Sequence, residues 1–188
     1  MGNYNGGWEK LFENSLEVLK GFRRFLLITD GDTSILEGLK GKVKVLVQRC
    51  LWHIPYQAKY VLWQDGVKHK SAEWLQVMSE LMEICAIRPL VDCEKTIKKM
   101  IESKRKRLES VIQYCLSKGY PHTASYLENA MPDMFTAIEK RLKGKTTSKV
   151  ERIMRTINMR VNVSKWSIAG ALNVTKIRLA YYYNGFDA

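Results

Sequence analysis

The chain has 188 residues, 46% apolar and 27% charged, which fits one globular domain, or one domain with a large insertion, and excludes a disordered polymer. No apolar run approaches the ~20 residues of a membrane span, and Met1–Gly7 lacks the basic start and apolar stretch of an export signal. The net charge of +12 is one-sided: residues 1–94 carry 12 Lys/Arg against 12 Asp/Glu, and residues 95–188 carry 19 against 7.

A basic field confined to one half suits a polyanion, because each neutralised phosphate releases counterions. An anionic membrane, an acidic protein or a set of solvated helix faces would use the same charges. The four cysteines (Cys50, Cys85, Cys93, Cys115) form no Cys-x-x-Cys pair and match neither a zinc site nor a disulfide framework. Reduced thiols and a cytoplasmic location are the simplest expectation.

Trp8, Leu11, Phe12, Leu16, Leu19 and Phe22 recur at helical spacing and predict an amphipathic helix over 8–20. Phe25–Thr29 is a short apolar run before a turn, hence a buried strand. Thr33–Leu39 reads as a short helix, Lys42–Val47 as a second strand, and 49–63 as a helix that Pro55 breaks or kinks. Strand, helix, strand, helix in that order predicts an α/β sheet with parallel neighbours. After Asp65-Gly66 the segments 71–86, 90–118, 121–130 and 132–142 all follow the helical period, punctuated by Pro89, Gly119-Tyr120-Pro121 and Pro132. Further helices are expected at 147–160 and 167–184. The domains are then 1–65 (α/β), 66–145 (a helical insertion) and 146–188 (closing helices).

Asp30 directly follows the first strand, and ligands of open α/β sheets gather at strand carboxyl ends. Asp-Gly-Asp is equally ordinary turn chemistry, and Asp32 suits an N-cap. Glu151 completes Ser148-x-x-Glu151, a capping box, and Arg155 stands where it pairs with Glu151. Glu151 is also the one acid between Glu139 and Asp187, among Lys140, Arg141, Lys143, Lys145, Lys149, Arg152, Arg155 and Arg160. A lone carboxylate in a basic field is what a site needs to hold Mg²⁺ and approach phosphates. Cys50-x-x-His53 is too short to specify zinc; it either packs structurally or braces a helix near a site, with Arg49 and His53 facing a ligand. Lys98, Lys99, Lys104, Arg105, Lys106 and Arg107 share a helix whose apolar stripe is Ile97, Met100, Ile101, Leu108, Val111 and Ile112. One face should pack and a basic face should remain for a DNA backbone or for solvent. Tyr181-Tyr182-Tyr183 either stack on bases or pack a terminal helix.

Strand-Asp30-Gly31, then Gln48-Arg49-Cys50-x-x-His53, then a helical stretch, then Thr146-Thr147-x-x-x-Glu151-Arg152 resembles the Mutator-like DDE transposases and their bacterial and archaeal insertion-sequence relatives. Trp166–Ala171 and Ile177-Arg178-Leu179 are similar to the end of such proteins, so the resemblance covers roughly residues 20–188. It implies a partial RNase H-like α/β fold with an all-helical insertion and C-terminal helices. It implies DNA as partner, and DNA cleavage and strand transfer through two Mg²⁺ or Mn²⁺ ions held by three carboxylates. Asp30 and Glu151 take the second and third catalytic, metal-binding positions, and Cys50 and His53 the structural motif. Arg49, Lys104, Arg105, Lys106, Arg107, Lys149, Arg152 and Arg155 are the candidate DNA contacts. The first carboxylate would lie upstream of residue 1. A truncated transposase that is inactive alone, completed by an upstream fragment or a second copy, is the expectation; a non-catalytic basic helical nucleic-acid-binding protein is the alternative.

Overall fold

The computed structural model describes residues 25–32, 34–37, 44–87, 93–144, 146–147, 151–153 and 167–184, with Glu13, Gly21, Leu39 and Arg155 as single positions. Glu13 is helical; the rest of the helix expected over 8–20 lies outside these residues. The chain forms two compact units, 1–146 and 147–188.

In the first unit, Phe25–Thr29 is β1 and Val45–Arg49 is β2. They pair in parallel, from Phe25 opposite Val45 to Thr29 opposite Arg49. A short helix α1 (Ser34–Glu37) lies between them in sequence. The parallel arrangement is the one expected, but β2 ends two residues later than its apolar run suggested. Gln48 and Arg49 extend the ladder, and the Cys50 amide continues it by donating to the Thr29 carbonyl at 2.7 Å. Backbone pairing outranks side-chain polarity here. Among the described residues the sheet has two strands, so the fold is mixed α/β and mostly helical.

The helix expected from Arg49 instead begins at His53: α2 is His53–Gln64. Cys50-Leu51-Trp52 forms the turn, closed by the His53 amide donating to the Cys50 carbonyl at 3.0 Å. Pro55 does not break α2, because it falls in the first turn, where an amide would lack an intrahelical acceptor. Next come α3 (Ala72–Cys85), whose Ser71 cap accepts from the Trp74 amide, then α4 (Glu94–Ser117) and α5 (Pro121–Ala130), with proline at its first position.

The single helix expected over 132–142 is replaced by a 3₁₀ turn, Met131–Asp133, and a short α6, Thr136–Glu139. The periodicity breaks because Met134 and Phe135 are both fully buried. The gap in the helical ladder is bridged from β2. The Gln48 carboxamide oxygen accepts from the Ala137 amide at 2.8 Å, and its nitrogen donates to the Met134 carbonyl.

One core joins these elements. Ile54, Ala58 and Leu62 of α2 pack with Val77, Leu81 and Ile84 of α3, Leu108 and Ile112 of α4, Leu127 of α5, and Met134 and Phe135. Each of these side chains other than Ala58 contributes roughly 1.5–3 kcal/mol by leaving water. The apolar stripe of α4 packs as its spacing predicted: Ile101, Leu108, Val111 and Ile112 are buried, with Ile97 and Met100 against the same cluster.

In the second unit, residues 151–153 are helical, and the Glu151 amide donates to the Thr147 carbonyl at 3.0 Å. Helix α7 spans Ile168–Asn184 and starts at Ser167, whose hydroxyl oxygen accepts from the Gly170 amide. No helix among the described residues is long and apolar enough to cross a membrane.

Candidate functional site

The carboxyl ends of β1 and β2 open into a cleft of about 730 Å³ lined by Asp30, Asp32, Arg49, His53, Tyr56 and Tyr126 among others. Parallel strands place their chain ends, and the turns that follow, on one edge, which is where an α/β sheet presents ligand groups. Asp30 follows β1 and is exposed; one of its carboxylate oxygens accepts from the Asp32 amide at 3.2 Å. Asp32 in turn accepts from the Ser34 amide at 2.8 Å and leads into α1. The Ser34 hydroxyl and then its amide hold the Asp32 carboxyl below the usual carboxylate range. The two acids therefore combine turn chemistry with exposure to the cleft.

Arg49 forms one wall. Its Nε–H pairs with the Asp133 carboxylate at 3.3 Å, and its terminal nitrogens donate to the Asn129 carbonyl at 3.1 Å and the Asp30 carbonyl at 3.4 Å. The guanidinium crosses so close to Gly31 that a Cβ there would lie 1.6 Å from Nη1. Gly31 also has φ +116°, which only glycine adopts without strain. Arg49 thus ties the strand ends to the turn after α5 while flanking the cleft.

Cys50 is completely buried, and its backbone links β1 to the first turn of α2. His53 stands at the start of α2, its ring edge-on to Trp52 at 4.9 Å, and lines the cleft. The Cys50-x-x-His53 pair therefore closes the strand-to-helix turn beside the cleft. Tyr126 of α5 was missed by sequence reasoning. Its hydroxyl is buried with no hydrogen-bond partner among the described residues. Burial above all pushes that phenol up to about 12. Gln48 belongs to the motif Gln48-Arg49-Cys50-x-x-His53 but had no role of its own there, since the groups it bonds are far along the chain.

Asp30 offers the hard oxygen that Mg²⁺ or Mn²⁺ prefers. Among the described residues, however, no three His, Cys, Asp or Glu side chains converge as a metal-holding group. The described residues of the cleft supply too few donors to hold such an ion by themselves. Glu151 belongs to the second unit, where it, Arg152 and Arg155 are exposed; Lys149 and Ser148, and with them the capping box, lie outside the described residues.

The basic run on α4 divides three ways. Arg105 turns to Glu139 at 2.8 Å and the Met131 carbonyl at 3.2 Å, with its guanidinium 5.4 Å from the Phe135 ring centre. Arg107 bridges Glu80 at 2.7 Å and Glu83 at 2.9 Å on α3, and Lys104 donates to the Glu83 carbonyl. Lys106, Lys98 and Lys99 face solvent; among the described residues Lys106 meets Glu102, at 3.5 Å, in a pair exposed on both sides. The Tyr181–Tyr183 side chains lie outside the described residues. No family model, no curated protein and no solved structure matches the chain.

Proposed function

We propose that this chain is a DNA-binding part of a DDE-type transposase of the Mutator-like kind, with an RNase H-like sheet whose β1 is followed directly by the carboxylate Asp30. The observation that carries the reading is Asp30 at the carboxyl end of a parallel strand pair, in a cleft shared with Arg49 and His53. Strand, acid, strand, Gln-Arg-Cys-x-x-His, helical layer is the order that the sequence resemblance requires. Glu151 enters through its own setting, an exposed acid on a basic helix. In this reading the first carboxylate comes from another polypeptide segment, and without it the chain bound to DNA holds Mg²⁺ or Mn²⁺ more weakly than the completed enzyme would.

A second reading, a non-catalytic basic nucleic-acid-binding protein, is favoured by one observation: among the described residues the acids do not gather into a metal-holding group. Both readings require DNA binding that weakens steeply with salt. They part on metal. Binding of Mn²⁺ to the chain–DNA complex, followed by its electron paramagnetic resonance signal, should weaken in both Asp30→Asn and Glu151→Gln under the transposase reading. Unchanged Mn²⁺ binding in both variants would leave the non-catalytic reading. Absence of duplex binding even at low salt would reject both. Robust DNA cleavage by the chain alone would show that no outside carboxylate is needed.

A further inference from the structure

Helix α2 has two opposite faces, and the outward one is aromatic. At ~100° per residue, Trp52, Tyr56, Lys59, Tyr60 and Trp63 fall within about a 100° arc. Ile54, Ala58 and Leu62 lie opposite them and are fully buried. The outward rings are large and open: Trp52 is 52% exposed, Tyr60 49% and Trp63 76%. Trp52 and Tyr56 lie nearly parallel at 5.0 Å, Tyr60 stands edge-on to Tyr56 at 5.6 Å, and the Lys59 ammonium sits 4.3 Å from the Tyr56 ring centre. From Trp52 to Trp63 the row runs for about 16 Å. A row of exposed rings of this size marks a contact surface rather than scattered surface apolarity.

We infer that this face is a stacking platform for single-stranded nucleic acid. Charge identifies the occupant. Between residues 50 and 70 the charged side chains are Lys59, Asp65, Lys68 and Lys70. Asp65, the sole acid, is turned into α5: its carboxylate accepts from the amides of His122 and Thr123 and from the Thr123 hydroxyl, at 3.0, 2.8 and 2.7 Å. Lys59, the one charged member of the row, thus meets no carboxylate from this segment, and Lys68 and Lys70 follow α2 in exposed positions. A protein partner selects an interface core depleted in lysine, whereas bases stacking on rings beside lysines is how single strands are bound without sequence preference. Tyr56 belongs both to the row and to the lining of the Asp30 cleft, so a strand laid along α2 would lead into that cleft. The inference deepens the proposed function and rests on it for nucleic acid as the partner class. It adds that the strand is unpaired.

The test is fluorescence anisotropy with a labelled oligothymidylate and, separately, a labelled duplex, using the full chain. Tyr60→Ala and Trp63→Ala should each lower oligothymidylate affinity about tenfold and leave duplex affinity unchanged, and Trp63→Phe should restore most of the loss. These side chains are exposed, so circular dichroism should show unaltered folding. Equal affinities of parent and variants for oligothymidylate would overturn the inference while duplex binding keeps the proposed function standing. Loss of duplex and single-strand binding together in the parent chain would reject both. Self-association that Trp63→Ala abolishes, with oligothymidylate binding intact, would reassign the face to a second copy of the chain.

Discussion

The Gln48 side chain accepts a hydrogen bond from the Ala137 amide at 2.8 Å, across 89 positions of sequence. With its donation to the Met134 carbonyl, one carboxamide satisfies both backbone groups exposed by the break between the 3₁₀ turn and α6. Gln48 is fully buried, so water cannot take over either role. Gln48→Leu should therefore leave a donor and an acceptor unpaired and destabilise the first unit by about 3 kcal/mol. Chemical denaturation measures it. A loss below about 1 kcal/mol would mean that the two groups find other partners.

This contact shows where sequence legibility ends. β1 was readable because five apolar residues before Asp-Gly-Asp have few alternatives, and α3 and α5 because Ser71 and Pro121 mark their starts. The stripe of α4 was readable because its period persists for six turns. Gln48 was not, because a polar residue after an apolar run looks like the end of a strand. Its burial is set by α6, whose own interruption is invisible until Met134 and Phe135 find the core. The cleft was half legible: Asp30, Arg49 and His53 come from contiguous motifs, whereas Tyr126 arrives from α5 by packing alone. The aromatic row of α2 was present in the spacing, but which side of α2 the core covers is decided by α3, α4 and α5 and is not written in the segment itself. Packing leaves Trp52, Tyr60 and Trp63 outward and buries Ile54, Ala58 and Leu62.

Gly31 and Arg49 make a second coupled pair. Gly31→Ala places a methyl where the guanidinium passes and puts an L-residue at a positive φ. The strained backbone alone should cost about 1–3 kcal/mol, and displacement of Arg49 should loosen its hold on Asp133 and Asn129. In a double-mutant cycle with Arg49→Ala, the clash term disappears, so the two losses should sum to more than the double variant shows. Strict additivity in thermal unfolding would mean that the guanidinium does not occupy the space over Gly31.

Tyr126→Phe removes a buried hydroxyl that has no partner among the described residues. The substitution keeps the ring and discards an unsatisfied polar group, so stability should stay level or rise by up to about 1 kcal/mol. The reasoning runs opposite to that for Gln48, where the polar atoms are used. A clear fall in the unfolding midpoint would show that the hydroxyl holds a hydrogen bond within the cleft.

The cysteines should separate by reactivity. Cys93 is exposed at the start of α4, and the Thr96 amide, then its hydroxyl, hold its thiol below the usual range. Burial pushes Cys85 up to about 12 and Cys115 up to about 11. Because the thiolate is the reacting species, Cys93 should be alkylated first, and its rate should begin to rise at lower pH than that of an ordinary thiol. Cys115 should react only on unfolding, and Cys85, which is partly exposed but has a raised thiol pKa, more slowly than Cys93. Mass spectrometry after brief iodoacetamide exposure reads the order, and early labelling of Cys115 would contradict its burial against the core.

The basic run of α4 should split between stability and DNA affinity. Arg105 and Arg107 are engaged by Glu139, Glu80 and Glu83, so removing either guanidinium weakens packing between neighbouring helices more than it weakens a phosphate contact. The cost is small, because these pairs are partly solvated: about 0.5–1 kcal/mol each. Among the described residues Lys106 pairs with Glu102, exposed on both sides, and is available to a phosphate. Lys106→Gln should then lower duplex affinity and reduce the salt dependence by about one counterion, with the unfolding midpoint unchanged. Arg107→Gln should do the reverse. If Arg107→Gln instead reduced the salt slope and Lys106→Gln did not, the guanidinium would be leaving its carboxylates to meet DNA, and the side of α4 that faces α3 would be the one turned to the backbone.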